Sequence, residues 1–170
     1  NVDGNASVAI DGSDLTITPD SDYNGDIAVD VSVSDAEYTD STPFTLTVNP
    51  VNDAPVLDSI ADQETDEDTA FTYSISSIDI DGDALEYIVS VDGNASVSVD
   101  GSDLSIMPNS NYNGTITVDV LVSDGQYTDS DSFVLTVNPV NDAPVLDSIS
   151  DQDIDEDGTF IYTLSATDVD

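Results

Sequence analysis

The sequence predicts an all-β chain built as an array of small β-sandwich modules, and three observations lead there. The stretch Leu46–Ile60, LTVNPVNDAPVLDSI, returns unchanged at Leu135–Ile149, a step of 89 residues. A period of that length, carried by whole-module identity, means like domains in series. Apolar and polar residues alternate over short runs, and no window sustains a 3.6-residue period. Between the runs stand Asp-Gly and Asn-Gly pairs, the residues that tight turns require.

The register holds wherever both copies exist. Val2–Val8 returns as Val91–Val97, Tyr23-Asn24-Gly25 as Tyr112-Asn113-Gly114, and Asp62-Gln63 as Asp151-Gln152. Residues 1–50 read as the later part of one module. Ser7–Ile10 and Leu15–Thr18 alternate around Asp11-Gly12, a hairpin signal; Asp26–Ser34 carries Ile27, Val29, Val31 and Val33 on one face; Phe44, Leu46 and Val48 mark a further strand. Residues 51–139 read as one complete module. Its expected strands are Pro55–Ile60, Ala70–Ser76, Leu85–Val91, Ser96–Val99, Leu104–Met107, Thr115–Ser123 and Ser132–Val137. Seven short strands separated by turns are the pattern of an Ig-like sandwich, with a barrel as the alternative. The Cys…Trp…Cys core of true Ig domains is missing, since the chain has neither residue. Residues 140–170 open a third module, with an acidic segment Asp151–Asp157 and one expected strand, Thr159–Ser165. The prolines around Val51-Asn52-Asp53 stiffen the linker, because each fixes φ and removes a donor. The chain starts at Asn1 without a signal-peptide pattern and is expected to be a slice of a longer protein that continues in both directions.

The 170 residues include 37 Asp and Glu and no Lys, Arg or His, a net charge of −37. At 38% hydrophobic there is enough apolar material for small cores. Carboxylates at this density repel one another and favour expansion, so positive charge must come from metal ions or salt. Nucleic acid and anionic membrane surfaces are excluded as partners, because nothing on the chain neutralises phosphate. No apolar run approaches ~20 residues, so nothing spans a bilayer as a helix. Without Cys there is neither disulfide nor thiolate metal site.

Four carboxylate groups stand out: Asn52-Asp53 in the linker, Asp66-Glu67-Asp68, Asp79-Ile80-Asp81-Gly82-Asp83, and Asp124. Calcium takes six to eight oxygen ligands, and no single loop here supplies them. Asp79–Asp83 begins like a calcium loop but lacks Gly at the sixth position and has Ser90 at the twelfth, so it is not an EF-hand. Ligands would have to converge from several loops near module ends.

The run Val118–Val145, VDVLVSDGQYTDSDSFVLTVNPVNDAPV, resembles the end of a cadherin repeat. The whole chain resembles the cadherin-like tandem repeats of very large bacterial surface proteins, RTX-type adhesins among them. The resemblance implies calcium as the cofactor. It implies linker ligands Asn52, Asp53, Asn141 and Asp142; the repeat-start carboxylates Glu67 and Glu156; the D-x-D pairs Asp79 with Asp81 and Asp168 with Asp170; and the late-strand Asp35 and Asp124. Asp22 lies near the place of the mid-repeat acidic motif, and the second copy has Asn111 there. Asn49 and Asn138 stand where cadherins carry Asp, and Ala54 where they carry Asn, which lowers ligand charge and the expected number of ions. With no Lys, the Lys–Asn isopeptide bond of some surface adhesins is also ruled out.

Against these stand simpler roles. A typical Asp of such a chain is a solvated turn or edge residue. Asp11, Asp92 and Asp100 precede Gly and serve turns, Tyr23 and Tyr112 serve packing, and the N-x-S/T sequons at Asn5, Asn94 and Asn113 are chance. The function expected is a calcium-rigidified extracellular spacer that holds a tip away from a cell. Its partners are neighbouring modules of the same chain, and lateral homophilic association is open. The alternative is a self-associating fibre or sheath subunit, or a carbohydrate-binding module. An enzyme is not expected: only carboxylates, hydroxyls and Tyr could serve, and an array of small sandwiches implies no concave site.

Overall fold

The computed structural model describes residues 1–169. It is all-β, with strands and turns and no helix among the described residues. Two compact units are present: residues 1–53 together with Ile80–Gly82, and Ala54–Asp79 together with the chain from Asp83 onward.

In the first unit β1 (Ala6–Asp11) and β2 (Asp14–Pro19) form a hairpin, and β3 (Gly25–Ser34) pairs with β4 (Thr39–Val48) over its whole length. Gly12 turns the first hairpin at φ +62, a conformation that Gly adopts without a Cβ penalty. Val2 bridges Val29. Ile27 and Val29 are buried, whereas Val33 is 72% and Phe44 43% exposed.

The second unit contains the complete module. Its strands are β5 (Val56–Leu57), β6 (Gln63–Asp66), β7 (Phe71–Ser74), β8 (Ser77–Ile78), β9 (Glu86–Val91), β10 (Ala95–Asp100), β11 (Asp103–Pro108), β12 (Gly114–Ser123) and β13 (Thr128–Asn138). One sheet has the order β6-β13-β12-β9 and the other β10-β11-β7, with β5 and β8 forming a separate ribbon. One core cluster joins them. Ile116, Val118, Val120 and Val122 alternate inward from β12, Phe133, Leu135 and Val137 from β13, and Leu104 and Ile106 from β11. This is the period-2 pattern of strands with one buried face. Each such side chain contributes roughly 1.5–3 kcal/mol by leaving water. Two separate sheets around one core make a sandwich, and the barrel alternative is set aside.

The repeated Tyr-Asn-Gly has a packing reason. Tyr112 lies against the core and donates its hydroxyl to Thr115 O at 2.8 Å. A Cβ on Gly114, whose φ is +141, would sit 3.0 Å from the Tyr112 oxygen. Tyr23 does the same at Asp26 O, 2.9 Å.

Several strands differ from the sequence expectation. Pro55–Ile60 shortens to β5, because the chain switches sheets there. It leaves β8, crosses at buried Ile60, and becomes β6, which pairs parallel with β13 from Leu135↔Gln63 to Asn138↔Asp66. Gln63–Asp66, outside every expected strand, is therefore a strand, and of the acidic group Asp66-Glu67-Asp68 only Asp66 belongs to it. During the crossing, backbone N–H groups lose ladder partners, and carboxylates take them. Asp129 Oδ2 accepts Leu57 N at 2.8 Å, Asp131 Oδ2 accepts Ile60 N at 2.7 Å, and Asp62 Oδ1 accepts Val134 N at 2.9 Å. Ala70–Ser76 resolves into β7, followed by β8. In residues 140–169 the expected strand Thr159–Ser165 does not form. Instead β14 (Val145–Leu146) pairs with β15 (Ala166–Thr167), the same pairing as β5 with β8 one period earlier. The counterpart of 159–165 is β7, which needs β11 as its partner, and residues 159–169 have no such strand beside them among the described residues.

Backbone N–H donation from Ile60 and then Ser132 holds the Asp131 carboxyl below the usual carboxylate range. A depressed native pKa contributes stability that is complete above the unfolded value, about 3.9, and is lost as pH falls through the native one. The melting temperature of wild type should therefore exceed that of Asp131→Asn at pH 7, and the gap should close on titration below about pH 4. A gap that stays constant from pH 7 to pH 3 would assign the effect to something other than this charge.

Candidate metal centre

The candidate residues fall at two ends of the strands. β12 runs ten residues from Gly114 to Ser123, about 30 Å at 3.4 Å per residue. Asp124 follows one end and Asn111 precedes the other, so they cannot share an ion. The same holds for Asp35 and Asp22 across β3.

Asp124 sits in the β12–β13 turn, where its Oδ1 accepts Gln126 N and Tyr127 N, both at 2.6 Å. Asp35 repeats this in the first unit with Glu37 N at 3.0 Å and Tyr38 N at 2.7 Å. Donation from Tyr38 first, then Glu37, lowers the Asp35 carboxyl pKa. One oxygen of each late-strand Asp is thus committed to its turn. Asp79 follows β8, is half-buried, and accepts Asp83 N on Oδ1 at 3.1 Å.

At the opposite end of the complete module the chain gathers Glu67, Asp68, Asn111, Asn138 and Asp142. Glu67 is 4% exposed. Its N–H donates to Asn138 O at 2.9 Å, and its Oε1 accepts Val140 N at 2.6 Å. A buried carboxylate from the start of the module therefore clamps the backbone that leaves it. Asp68 Oδ1 accepts Asn111 N at 3.1 Å. The Asn111 carboxamide lies beside two carboxylates, and the orientation that satisfies them turns its nitrogen to donate to Asp142 Oδ2 at 3.2 Å and Asp68 Oδ2 at 3.3 Å. An amide thus lies between two negative charges. Asn141 Nδ2 donates to Asp142 O, and Asn52 Nδ2 to Asp53 O at 2.8 Å.

In the first unit the position of Asn111 is held by Asp22. Both are left-handed, φ +59 for Asp22 and +56 for Asn111, a conformation in which Asp and Asn are enriched. That turn explains the short polar side chain but not the choice of charge. Asp22 lines a cleft of about 270 Å³ with Tyr23, Asn24, Val48, Asn49, Val51, Asp53 and Asp81, all in the first unit. Asp81 Oδ2 accepts Asp53 N at 2.8 Å. Three carboxylates and two carboxamides give an all-oxygen donor set, the chemistry that a hard divalent cation selects. As the side chains stand, no three acidic groups among the described residues are placed to hold one metal ion. Holding one would require Asp22, Asp53 and Asp81 to turn toward a common point.

Glu156 and Asp168 are exposed, and Asp170 lies outside the described residues. The structural partners Asp68, Asp129 and Asp131 are absent from the sequence-derived ligand set. Asp68 recurs as Asp157, and both are left-handed at φ +55 and +66, a signal available in the repeat register. A concavity of about 540 Å³ beside Tyr73, Asp100 and Asp103 is an open trough along β7, β10 and β11.

The fold and the strand order define an Ig-type β-sandwich with a cadherin-like relative. The bacterial Ig domain profile matches residues 52–138, and the chain belongs to that family. Among solved structures, human protocadherin-24 EC1-2 in its second crystal form is 13% identical with a TM-score of 0.52, covering 82% of this chain and 81% of its own. Drosophila N-cadherin EC1-4 is 17% identical with a TM-score of 0.47, over 98% of this chain and 47% of its own. An endo-fucoidan hydrolase of glycoside hydrolase family 107 is 18% identical at a TM-score of 0.39, over 81% of this chain and 22% of its own. The chain thus spans about a quarter or less of the hydrolases it matches, and the likeness at these identities is one of fold. No protein of curated function matches the sequence. Among the described residues no helix is long and apolar enough to cross a membrane.

The bridging amide gives a direct expectation. Asn111→Ala removes two donors and should cost on the order of 1 kcal/mol. Asn111→Asp places a third carboxylate against Asp68 and Asp142 and should cost more in metal-free buffer. Equal melting temperatures for the two variants would show that charge at this point is unimportant.

Proposed function

We propose that this chain is a calcium-stabilised extracellular spacer from a large bacterial surface adhesin, with module segments 1–50, 51–139 and 140–170. The carrying observation is the cleft that Asp22, Asp53 and Asp81 line, on a chain of charge −37 with no cationic side chain. Asp22, Asp53 and Asp81, with Asn24 and Asn49, would hold the ion. A bound divalent cation supplies the positive charge the sequence lacks and ties three segments of backbone together. The clamp by Glu67 and the amide of Asn111 support the same end without metal at the later linker. Affinity in the ~0.1–1 mM range suffices outside a cell. Neighbouring modules are the natural partners. The repetition of whole modules favours a spacer over a single binding face, since a special site need not recur. No catalytic role is assigned: the polar side chains in the clefts are carboxylates, hydroxyls and amides.

The test is thermal unfolding of the 170-residue chain in calcium and in excess chelator at one ionic strength. Calcium should raise the melting temperature by several degrees where equivalent monovalent salt does not, and Asp22→Asn should remove most of that gain. A melting temperature indifferent to calcium would overturn the metal and leave a sandwich whose carboxylates serve turns and solubility.

A further inference from the structure

The two edges of the sheet β6-β13-β12-β9 are finished differently. β6 puts Glu64 and Asp66 into four residues, with Asp62 before it and Glu67-Asp68 after it. Charge at that density keeps a further strand from pairing there, a common protection of sheet edges. β9, EYIVSV, has one charged residue, Glu86 at its first position, and neither Pro nor Gly. It pairs β12 on one side and ends the sheet on the other. Its side chains alternate between the faces. Tyr87, Val89 and Val91 turn to the core but are only half-buried, whereas Val122, Val120 and Val118 opposite them on β12 are buried. On the outer face Ile88 is 57% exposed and lies across from Leu121. The fold does not demand that apolar pair. Leu121 stands where the earlier copy has Ser32, while its neighbours Val120 and Val122 are matched by Val31 and Val33. We infer that β9 is a self-association edge, which pairs antiparallel with β9 of a second copy about a two-fold axis at Ile88.

An edge of backbone N–H and C=O groups accepts a strand, and the side chains of β9 fit it to itself. A two-fold contact has to be self-complementary. Centred on Ile88, the register sets Ile88 opposite Ile88, Tyr87 opposite Val89, Glu86 opposite Ser90 and Leu85 opposite Val91. Apolar side chains then meet apolar ones, and each carboxylate meets a hydroxyl. Centred on Val89, it would set Glu86 opposite Asp92 twice, and like charges directly opposite destabilise a sheet. Centred on Tyr87, it would set each Glu86 carboxylate against Ile88. In the Ile88 register Asp92 falls opposite Ala84, clear of other charge. On the outer face, Leu121 and Ile88 of one copy run into Ile88 and Leu121 of the other as one apolar stripe. On the inner face, the half-buried Tyr87 and Val89 are covered from the side. The contact lies wholly within the complete module and needs no other part of the chain. Each copy carries −37, so screening by salt should strengthen it.

The chain has no Cys, so a single introduced thiol reports this contact directly. Opposed residues of an antiparallel pair have Cα atoms about 4.5–5.5 Å apart, within disulfide range. The measurements are made in about 1 M NaCl with excess chelator, so that bridging by metal plays no part and the calcium reading of the Asp22 cleft is tested separately. Ile88→Cys should oxidise to a disulfide dimer about tenfold faster than Ile78→Cys, an equally exposed position on β8. An equimolar mixture of Glu86→Cys and Ser90→Cys should give the mixed dimer in excess over both like pairs, read by intact mass. Wild type should sediment as a concentration-dependent mixture of monomer and dimer, and Ile88→Asp as monomer. Equal rates for Ile88→Cys and Ile78→Cys, or a random distribution of dimers in the mixture, would overturn the inference. So would a wild type that stays monomeric, which would leave the edge to a strand of a different protein.

Discussion

Carboxylate oxygens here have only backbone N–H groups, hydroxyls and amides to bond, and the rest of the structure depends on that constraint. With no Lys, Arg or His, no ion pair between side chains can form. The fold turns the shortage into a system of turn and crossover caps. Asp129, Asp131 and Asp62 satisfy the backbone where the chain changes sheets. Asp92 accepts Thr117 N at 3.0 Å, as Asp3 accepts Ala28 N at 3.1 Å one period earlier. Hydrogen bonds to a charged acceptor are stronger than neutral ones, and a buried N–H left alone is costly. Acidic residues therefore hold local geometry at the same time as their sum opposes compaction. The opposition is global and screened by salt; the caps are local and less sensitive to it.

Two copies of one linker answer the local repulsion differently. Around Asp22 the first cleft carries three carboxylates. At the later linker Asn111 puts an amide between two. A change of one atom type, oxygen for nitrogen, converts an acceptor that adds charge into a donor that offsets it. Glu67 adds a second fixed point there, joining the start of a module to the backbone that leaves it.

Much of the fold was legible because it is local. The hairpins β1–β2, β3–β4 and β12–β13 follow from alternation around turn residues, and the 89-residue register extends them to each copy. What escaped was non-local. Gln63–Asp66 has a polar, strongly acidic sequence, and it is a strand only because β13 lends it a parallel backbone. Conversely, Thr159–Ser165 has a strand-like pattern and no partner beside it among the described residues. For the site, sequence registered Asp22, Asp53 and Asp81 as candidates, and the fold lines one cleft with them. It could not show that Asp35 and Asp124 spend an oxygen on their own turns, because an Asx-type contact depends on the turn's backbone. Nor could it reveal which face Asp129 and Asp131 present to the crossover. The Ala36 turn shows the limit in another way: its φ of +78 is held by an Ala where the later copy uses Gly125.

The parallel pairing of β6 with β13 bears on how a module meets tension. β6 lies near the point where the chain comes into the module, and β13 is the last strand before it leaves. Because the two run side by side in the same direction, pulling the ends apart slides one strand along the other. All four paired positions, from Gln63–Leu135 to Asp66–Asn138, then bear the load at once. A hairpin pulled open at its end would instead surrender its bonds one after another. The Glu67 contact to Val140 lies at the end of this seam and shares the strain. In a chain without covalent staples, a short acidic strand beside β13 is thus the mechanical fastening of the domain.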